Sequence, residues 1–265
     1  MWDRLRSGAR SARNIGQCAR LDVPWARWWP ARWLREAVYS FVLGPLMRLY
    51  IRRRVLGAER FDELEPPVIL VSNHQSHIDT PQILTALPRK WRQRTAVAAA
   101  ADYFYCNRLV AAIVSLAFNT VPIERRGRGL DRDAKRHLDR VLGQRWNLLI
   151  YPEGTRSRNG EVGRLRTGAA AIAVEHGLKI VPIEVKGTHS AMPPGRSWPR
   201  RLRRGWRSTR HPVTVRFGAP IVPLPGEDRH DVTARLRAFY GQEPLPVPIG
   251  EPAPPPAREP VAASV

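Results

Sequence analysis

Residues 67–81 read PVILVSNHQSHIDTP. The run Pro67–Ser72 is short, continuous and apolar, the pattern of a strand buried on both faces. Asn73 to Asp79 is polar except for Ile78. Thr80-Pro81 then supplies an N-cap and a first helical residue, so a helix through about Leu87 is expected. Strand, polar loop and helix start in direct succession make a βα unit.

Working outward, the alternation repeats. Thr95–Ala100 reads as a strand, Phe104–Phe118 as a helix, Thr120–Ile123 as a short strand and Leu130–Leu142 as a helix. Asn147–Tyr151 (NLLIY) is another buried-strand run. Leu165–His176 is Ala-rich and helical, closed by Gly177. Lys179–Val185 and Val213–Phe217 read as strands, and Glu227–Tyr240 as a final amphipathic helix. This order predicts an α/β fold, with a mostly parallel or mixed sheet flanked by helices. In such sheets chemistry gathers in the loops beyond strand C-termini.

The chain has 265 residues, 43% apolar and 25% charged, which excludes wholesale disorder. It is long enough to bury a core without metal or disulfide staples. Cys18 and Cys106 are the only cysteines, so neither a disulfide framework nor a Cys-rich zinc module is expected. No clustered ligand set suggests a metal. No apolar run approaches the roughly 18 residues of a membrane span. Arginines scattered from Arg4 to Arg20 argue against a secretory leader.

The formal net charge is +21, carried by 44 basic residues. Such a chain selects polyanions: nucleic acid, an anionic membrane surface or phosphorylated substrates. The charge is uneven. Residues 1–60 hold thirteen arginines against four acids, and residues 196–210 hold seven arginines and no acid. Both stretches contain Trp. Trp25, Trp28, Trp29 and Trp33 recur at the spacing of one helical face, with Pro30 in the first turn. Ala37–Tyr50 is apolar apart from Ser40 and Arg48, and Arg52-Arg53-Arg54 follows. That is too short to cross a bilayer and suits an interfacial segment, with Trp at headgroup level and Arg toward anionic lipid. A helix packed on its own domain, with a solvated Arg face, explains the same pattern. The second stretch, with Trp198 and Trp206, fits either a lipid contact or a nucleic-acid patch.

Three loops carry groups suited to chemistry. His74 leaves the first buried strand and Asp79 follows five residues on. In one continuous helix these positions point about 140° apart, but across a strand–loop–helix bend they can meet. A histidine held by a carboxylate is an oriented general base. Ser76-x-x-Asp79 also matches a capping box, and His77 is a rival base. After NLLIY comes Pro152-Glu153-Gly154-Thr155-Arg156-Ser157-Arg158, where Gly154 permits a tight turn and Arg156 offers a phosphate fork. Arg125 and Arg126 close a third loop, after Val121-Pro122-Ile123-Glu124. Val181-Pro182-Ile183, taken alone, is an ordinary buried strand.

In this order the four pieces resemble the glycerolipid acyltransferase family. A His, four residues and an Asp are present at His74 and Asp79, and the Glu-Gly-Thr-Arg block is complete at Glu153–Arg156. The resemblance runs from about Leu56 to Pro220. It implies His74 as the base on an acceptor hydroxyl, with Asp79 orienting it. It implies that Glu153, Gly154, Thr155 and Arg156, with Arg125, bind the acceptor, and that Val181, Pro182 and Ile183 belong to the acyl-donor region. Arg126 adds charge beside Arg125, so either arginine suits the phosphate. The acceptor implied is 1-acyl-glycerol-3-phosphate, giving phosphatidic acid. Glycerol 3-phosphate, another lysophospholipid or a glycolipid would keep the same chemistry. The donor is an acyl thioester, acyl-coenzyme A or acyl-acyl carrier protein, with no cofactor and no metal. Backbone amides near Gly154 are expected to meet the oxyanion. A basic nucleic-acid-binding protein is the non-enzymatic alternative; no nucleic-acid motif appears, and no such partner is expected.

The expected organisation is a Trp/Arg-rich membrane-associating segment over 1–55, an acyltransferase domain over 56–240 and a Pro-rich disordered tail over 241–265. The expected location is the cytoplasmic face of the cell membrane, on a phospholipid surface.

Overall fold

The computed structural model describes residues 23–100, 108–123, 132–196, 198–204 and 207–242. Cys18, Cys106, Arg125, Arg126, Trp206 and the tail beyond residue 242 lie outside the described residues. The chain opens on a 3-10 turn, Pro24–Arg27, then α1 (Trp29–Ala37), a π-helical stretch (Val38–Leu43) and α2 (Gly44–Tyr50). Next come β1 (Ile51–Leu56), β2 (Ile69–Ser72), α3 (Asp79–Ala86), α4 (Arg89–Arg92) and β3 (Thr95–Ala100). They are followed by α5 (Arg108–Phe118), β4 (Thr120–Ile123), α6 (Arg132–Gly143), β5 (Asn147–Ile150) and α7 (Gly168–His176). The chain continues through β6 (Ile180–Lys186), α8 (Thr188–Ala191), β7 (Leu202–Arg204), β8 (Arg207–Thr209), β9 (His211–Phe217) and α9 (Arg229–Phe239).

Seven strands form one mixed sheet in the order β1-β9-β6-β2-β5-β3-β4. Every neighbouring pair is parallel except β6 with β9. Both faces are covered. Leu70, Leu149, Val181 and Ile183 face a cluster with Phe61, Ile83 and Trp91. Ile69, Val71, Leu148 and Ile180 face the opposite cluster, with Leu138, Val141 and the alanines of α7. This double burial is why β2 and β5 read as unbroken apolar runs. The small side chains of α7 let it lie close on the sheet. Gly177 ends it in the left-handed region (φ 61°), where a side chain would be strained.

Two expectations need correction. Thr80 is not an N-cap: α3 starts at Asp79, and Thr80 lies inside its first turn. Arg52-Arg53-Arg54 is not a flank of the helical segment but part of edge strand β1, in register with Pro212, Val213 and Thr214 of β9.

The N-terminal helices are tied to the domain by polar groups. Arg35, buried, donates from Nε to Leu116 O at 2.7 Å and from Nη2 to Ala26 O and Ser115 O, at 2.7 and 3.1 Å. Tyr39 Oη donates to Ala117 O at 2.6 Å. Glu36 pairs with Arg92. Arg35 thus meets the last carbonyls of α5, where a cation also suits the helix dipole. The other side is open and apolar: Trp28, Trp29, Trp33, Phe41 and Leu49 are exposed, Phe41 at 81%. Among the described residues, no helix is long and apolar enough to cross a membrane.

Candidate active site

Parallel strands place their following loops together. Val71 is in register with Ile150 of β5 and with Pro182 of β6. The loop after β2, the turn after β5 and α8 after β6 therefore meet at one end of the sheet.

His74 and Asp79 come together there. Nδ1 of His74 lies 2.9 Å from Oδ2 of Asp79, and Asp79 is fully buried. The same Oδ2 accepts the amides of Gln75 at 2.6 Å and Ser76 at 2.7 Å. The Ser76 amide bond is one half of the expected capping box, so a single carboxylate both pins the loop and orients the imidazole. With Nδ1–H donated to Asp79, Nε2 is left as the proton acceptor. About a fifth of the His74 side chain is exposed.

The loop is held from several directions. The Asn73 side chain substitutes for a strand partner, donating from Nδ2 to Val185 O at 2.9 Å and accepting Val185 N–H at 2.8 Å. Ser76 Oγ donates to Met192 O at 2.7 Å. Ser157 N–H donates to His74 O at 2.8 Å.

Tyr151 closes β5 by lying against the imidazole. The two rings stack with centroids 4.1 Å apart and planes 22° off parallel. The Tyr151 hydroxyl sits 2.8 Å from Thr80 Oγ1 on α3. Burial, then the Asp79 charge, raises its phenol well above the ordinary range, so it stays neutral. From sequence, Tyr151 stood only as the last residue of the buried-strand run NLLIY. Its role depends on a contact across the sheet, which no local spacing reveals.

The Glu-Gly-Thr-Arg turn does two jobs. Glu153 is buried, and its two oxygens accept backbone amides: Oε1 from His74 at 2.8 Å, Oε2 from Gly163 at 2.9 Å. Burial raises its carboxyl above the usual value, and these two amide bonds oppose that rise. Gly154 has φ 72°, and a Cβ there would come within 3.2 Å of the Arg166 guanidinium. Its amide is engaged, donating to Tyr151 O at 3.1 Å. The expected oxyanion donor at Gly154 itself is therefore already used in closing the turn. Thr155 and Arg156 line a cleft of about 920 Å³ with Glu153, Arg164, His230 and Arg237. Its wall meets the His74 loop through Glu153.

His77, the rival base, is exposed. Desolvation first, then the Arg156 and His74 charges, lower it to about 4, and its side chain is not the partner of Asp79. Val181, Pro182 and Ile183 are buried in β6 beside β2. They pair with Leu70, Val71 and Ser72 of β2, the strand that leads to His74.

Residues 52–186, just over half of the chain, match the family model described as Acyltransferase. A 1-acyl-sn-glycerol-3-phosphate acyltransferase from Arabidopsis thaliana, chloroplastic, is 27% identical over 62% of this chain and 41% of its own length. The enzyme of the same name from Cocos nucifera is 27% identical over 73% of this chain and 58% of its own. The alpha form from Mus musculus is 31% identical over 50% of this chain and 45% of its own. The chain thus spans about two fifths of the length of the first of these relatives. The crystal structure of a 1-acyl-sn-glycerophosphate acyltransferase from Thermotoga maritima shares the fold, with a TM-score of 0.57, 23% identity and 86% of each chain covered.

Proposed function

The chain belongs to the acyltransferase family, and from that premise we propose that it moves a fatty acyl group from a thioester to the free hydroxyl of 1-acyl-glycerol-3-phosphate, yielding phosphatidic acid. The observation that carries this reading is the 2.9 Å contact of His74 with the fully buried Asp79, beside a cationic turn.

That geometry supports the following step. The acceptor hydroxyl gives its proton to His74 Nε2 as its oxygen attacks the thioester carbonyl. Asp79 steadies the imidazolium that forms. The tetrahedral oxyanion collapses, the C–S bond breaks, and the proton returns to the departing thiolate. Arg156, Arg164 and Arg237, which line the cleft, suit the acceptor phosphate. Glu153 supports the reaction by holding the His74 backbone. The donor is acyl-coenzyme A or acyl-acyl carrier protein, and no cofactor enters the step.

We place the enzyme on the cytoplasmic face of a phospholipid membrane. The open Trp28, Trp29, Trp33, Phe41 and Leu49 surface suits the interfacial layer, and a half-lipid acceptor must be taken from it.

The test is transfer from radiolabelled acyl-coenzyme A, in detergent, to lysophosphatidic acid, glycerol 3-phosphate, lysophosphatidylcholine and a neutral glycolipid. A parallel series uses an acyl carrier protein donor. Labelled phosphatidic acid, with kcat lowered on the order of 10³-fold or more in His74→Ala and strongly in Asp79→Asn, supports the reading. Unchanged turnover in Asp79→Asn would remove the dyad; transfer to another acceptor alone would remove the assignment to lysophosphatidic acid.

A further inference from the structure

The described part of the arginine-rich stretch, Arg196 and residues 198–204 and 207–210, lies toward the catalytic end of the sheet. β2, β5 and β6 run toward that end, where His74 and the Pro152 turn lie. β9 is antiparallel to β6 and so begins there, in register with Lys186 at Thr214. β1 is parallel to β9, with Ile51 opposite His211, so Tyr50 and the end of α2 are there too. The β7–β8 hairpin, inserted between α8 and β9, therefore emerges beside the last turn of the N-terminal helices and beside the site mouth.

The two are joined. Trp198 Nε1 donates to the Tyr50 hydroxyl at 3.0 Å, with the rings edge-on at 6.2 Å. Arg210 Nη1 donates to Arg48 O at 3.4 Å. Arg200 Nε donates to Ser190 O at 3.2 Å, tying the hairpin base to α8. Outside these ties, Arg196, Arg201 and Arg203 are exposed, and Trp198 is 52% exposed. From Val185 to Gly226 the sequence has no Asp or Glu to balance this charge.

We infer that the β7–β8 hairpin is a docking surface for anionic phospholipid headgroups, set so that bilayer contact brings the mouth of the site to the membrane. The inference rests on the reading of the N-terminal face as membrane-docking and adds to it a charge requirement. An apolar strip flanked by a cationic hairpin matches the two layers of a leaflet, acyl chains and charged headgroups. A nucleic acid would use the arginines but has no layer for Phe41 and Leu49. Each arginine near an anionic surface contributes about fivefold in partitioning.

The full chain is tested by co-sedimentation with vesicles of phosphatidylcholine alone and of phosphatidylcholine mixed with phosphatidylglycerol. The triple variant R196Q/R201Q/R203Q is expected to lose about a hundredfold of the preference for phosphatidylglycerol while binding phosphatidylcholine like wild type. The variant W29S/W33S/F41S is expected to lose binding to both. Added salt should reproduce the first result on the wild-type protein, so the inference stays testable if the arginine variant does not fold. Wild-type preference in the arginine variant, with the Trp variant defective, would overturn the hairpin role alone. Undiminished binding in both variants would overturn the hairpin and the N-terminal aromatic face alike as the docking surfaces. Loss of polyuridylate binding in the arginine variant, with vesicle binding intact, would assign the hairpin to nucleic acid instead.

Discussion

At the scale of single residues, His74, the proposed base, is held by three contacts: a carboxylate on Nδ1, a carboxylate on its amide and an aromatic ring on its face. The third gives the sharpest test. Tyr151→Phe keeps the stacked ring and removes only the hydroxyl contact with Thr80, so kcat should fall by less than about tenfold. Tyr151→Leu removes the flat surface that fixes the imidazole, and kcat should fall on the order of a hundredfold with little change in KM. A purely structural role would lower stability in both variants without this split. His77 offers a second test, on stability. It sits near 4 in the fold against about 6.5 in the unfolded chain. Between those values the unfolded state binds more protons, so His77 favours folding above pH 6.5 and that contribution is lost as pH falls toward 4. His77→Gln should flatten the fall of the urea midpoint across this window; parallel curves for the two proteins would remove His77 as the cause.

At the scale of elements, Arg35 joins α1 to the C-terminal end of α5. Burial lowers its guanidinium to about 10, so it remains cationic at neutral pH. Arg35→Met would leave the Ser115, Leu116 and Ala26 carbonyls without their charged donor. The expected loss is about 2–3 kcal/mol, read as a lower urea midpoint with unchanged slope. The elements also separate what residue patterns reveal from what they hide. β2 and β5 were legible because burial on both faces demands unbroken apolar runs. The His74–Asp79 spacing was legible because the two residues bracket one short loop, from the end of β2 to the first residue of α3. β1 was not, because on an edge strand Arg52, Arg53 and Arg54 all stay largely exposed, Arg53 reaching Gln82 and Thr85 of α3, so the run reads as a basic flank. The direction of β9 was hidden as well, since antiparallel and parallel burial leave the same apolar alternation. Asn73 and Tyr151 make their contacts through partners far along the chain, so their roles appear only once the sheet has assembled.

At the scale of the whole molecule, the question is whether the N-terminal helices are a removable anchor or part of the fold. Their inner side carries Ala31, Arg35, Glu36 and Tyr39 into the protein, while their outer side leaves the aromatic strip open. One element thus meets two demands with two faces. A chain lacking residues 1–50 would lose every hydrogen bond of Arg35 and Tyr39 and the Glu36–Arg92 pair, and would uncover the end of α5. Against a total stability of about 5–15 kcal/mol, that loss is large enough to prevent recovery of a folded domain. The variant W29S/W33S/F41S keeps every one of those bonds and changes only exposed side chains. Its thermal midpoint should stay within a few degrees of wild type, while its vesicle binding falls. A truncated chain with the wild-type midpoint would show instead that the helices are an independent anchor. A collapse of the midpoint in the serine variant would show that the aromatic strip packs on the protein rather than facing a membrane.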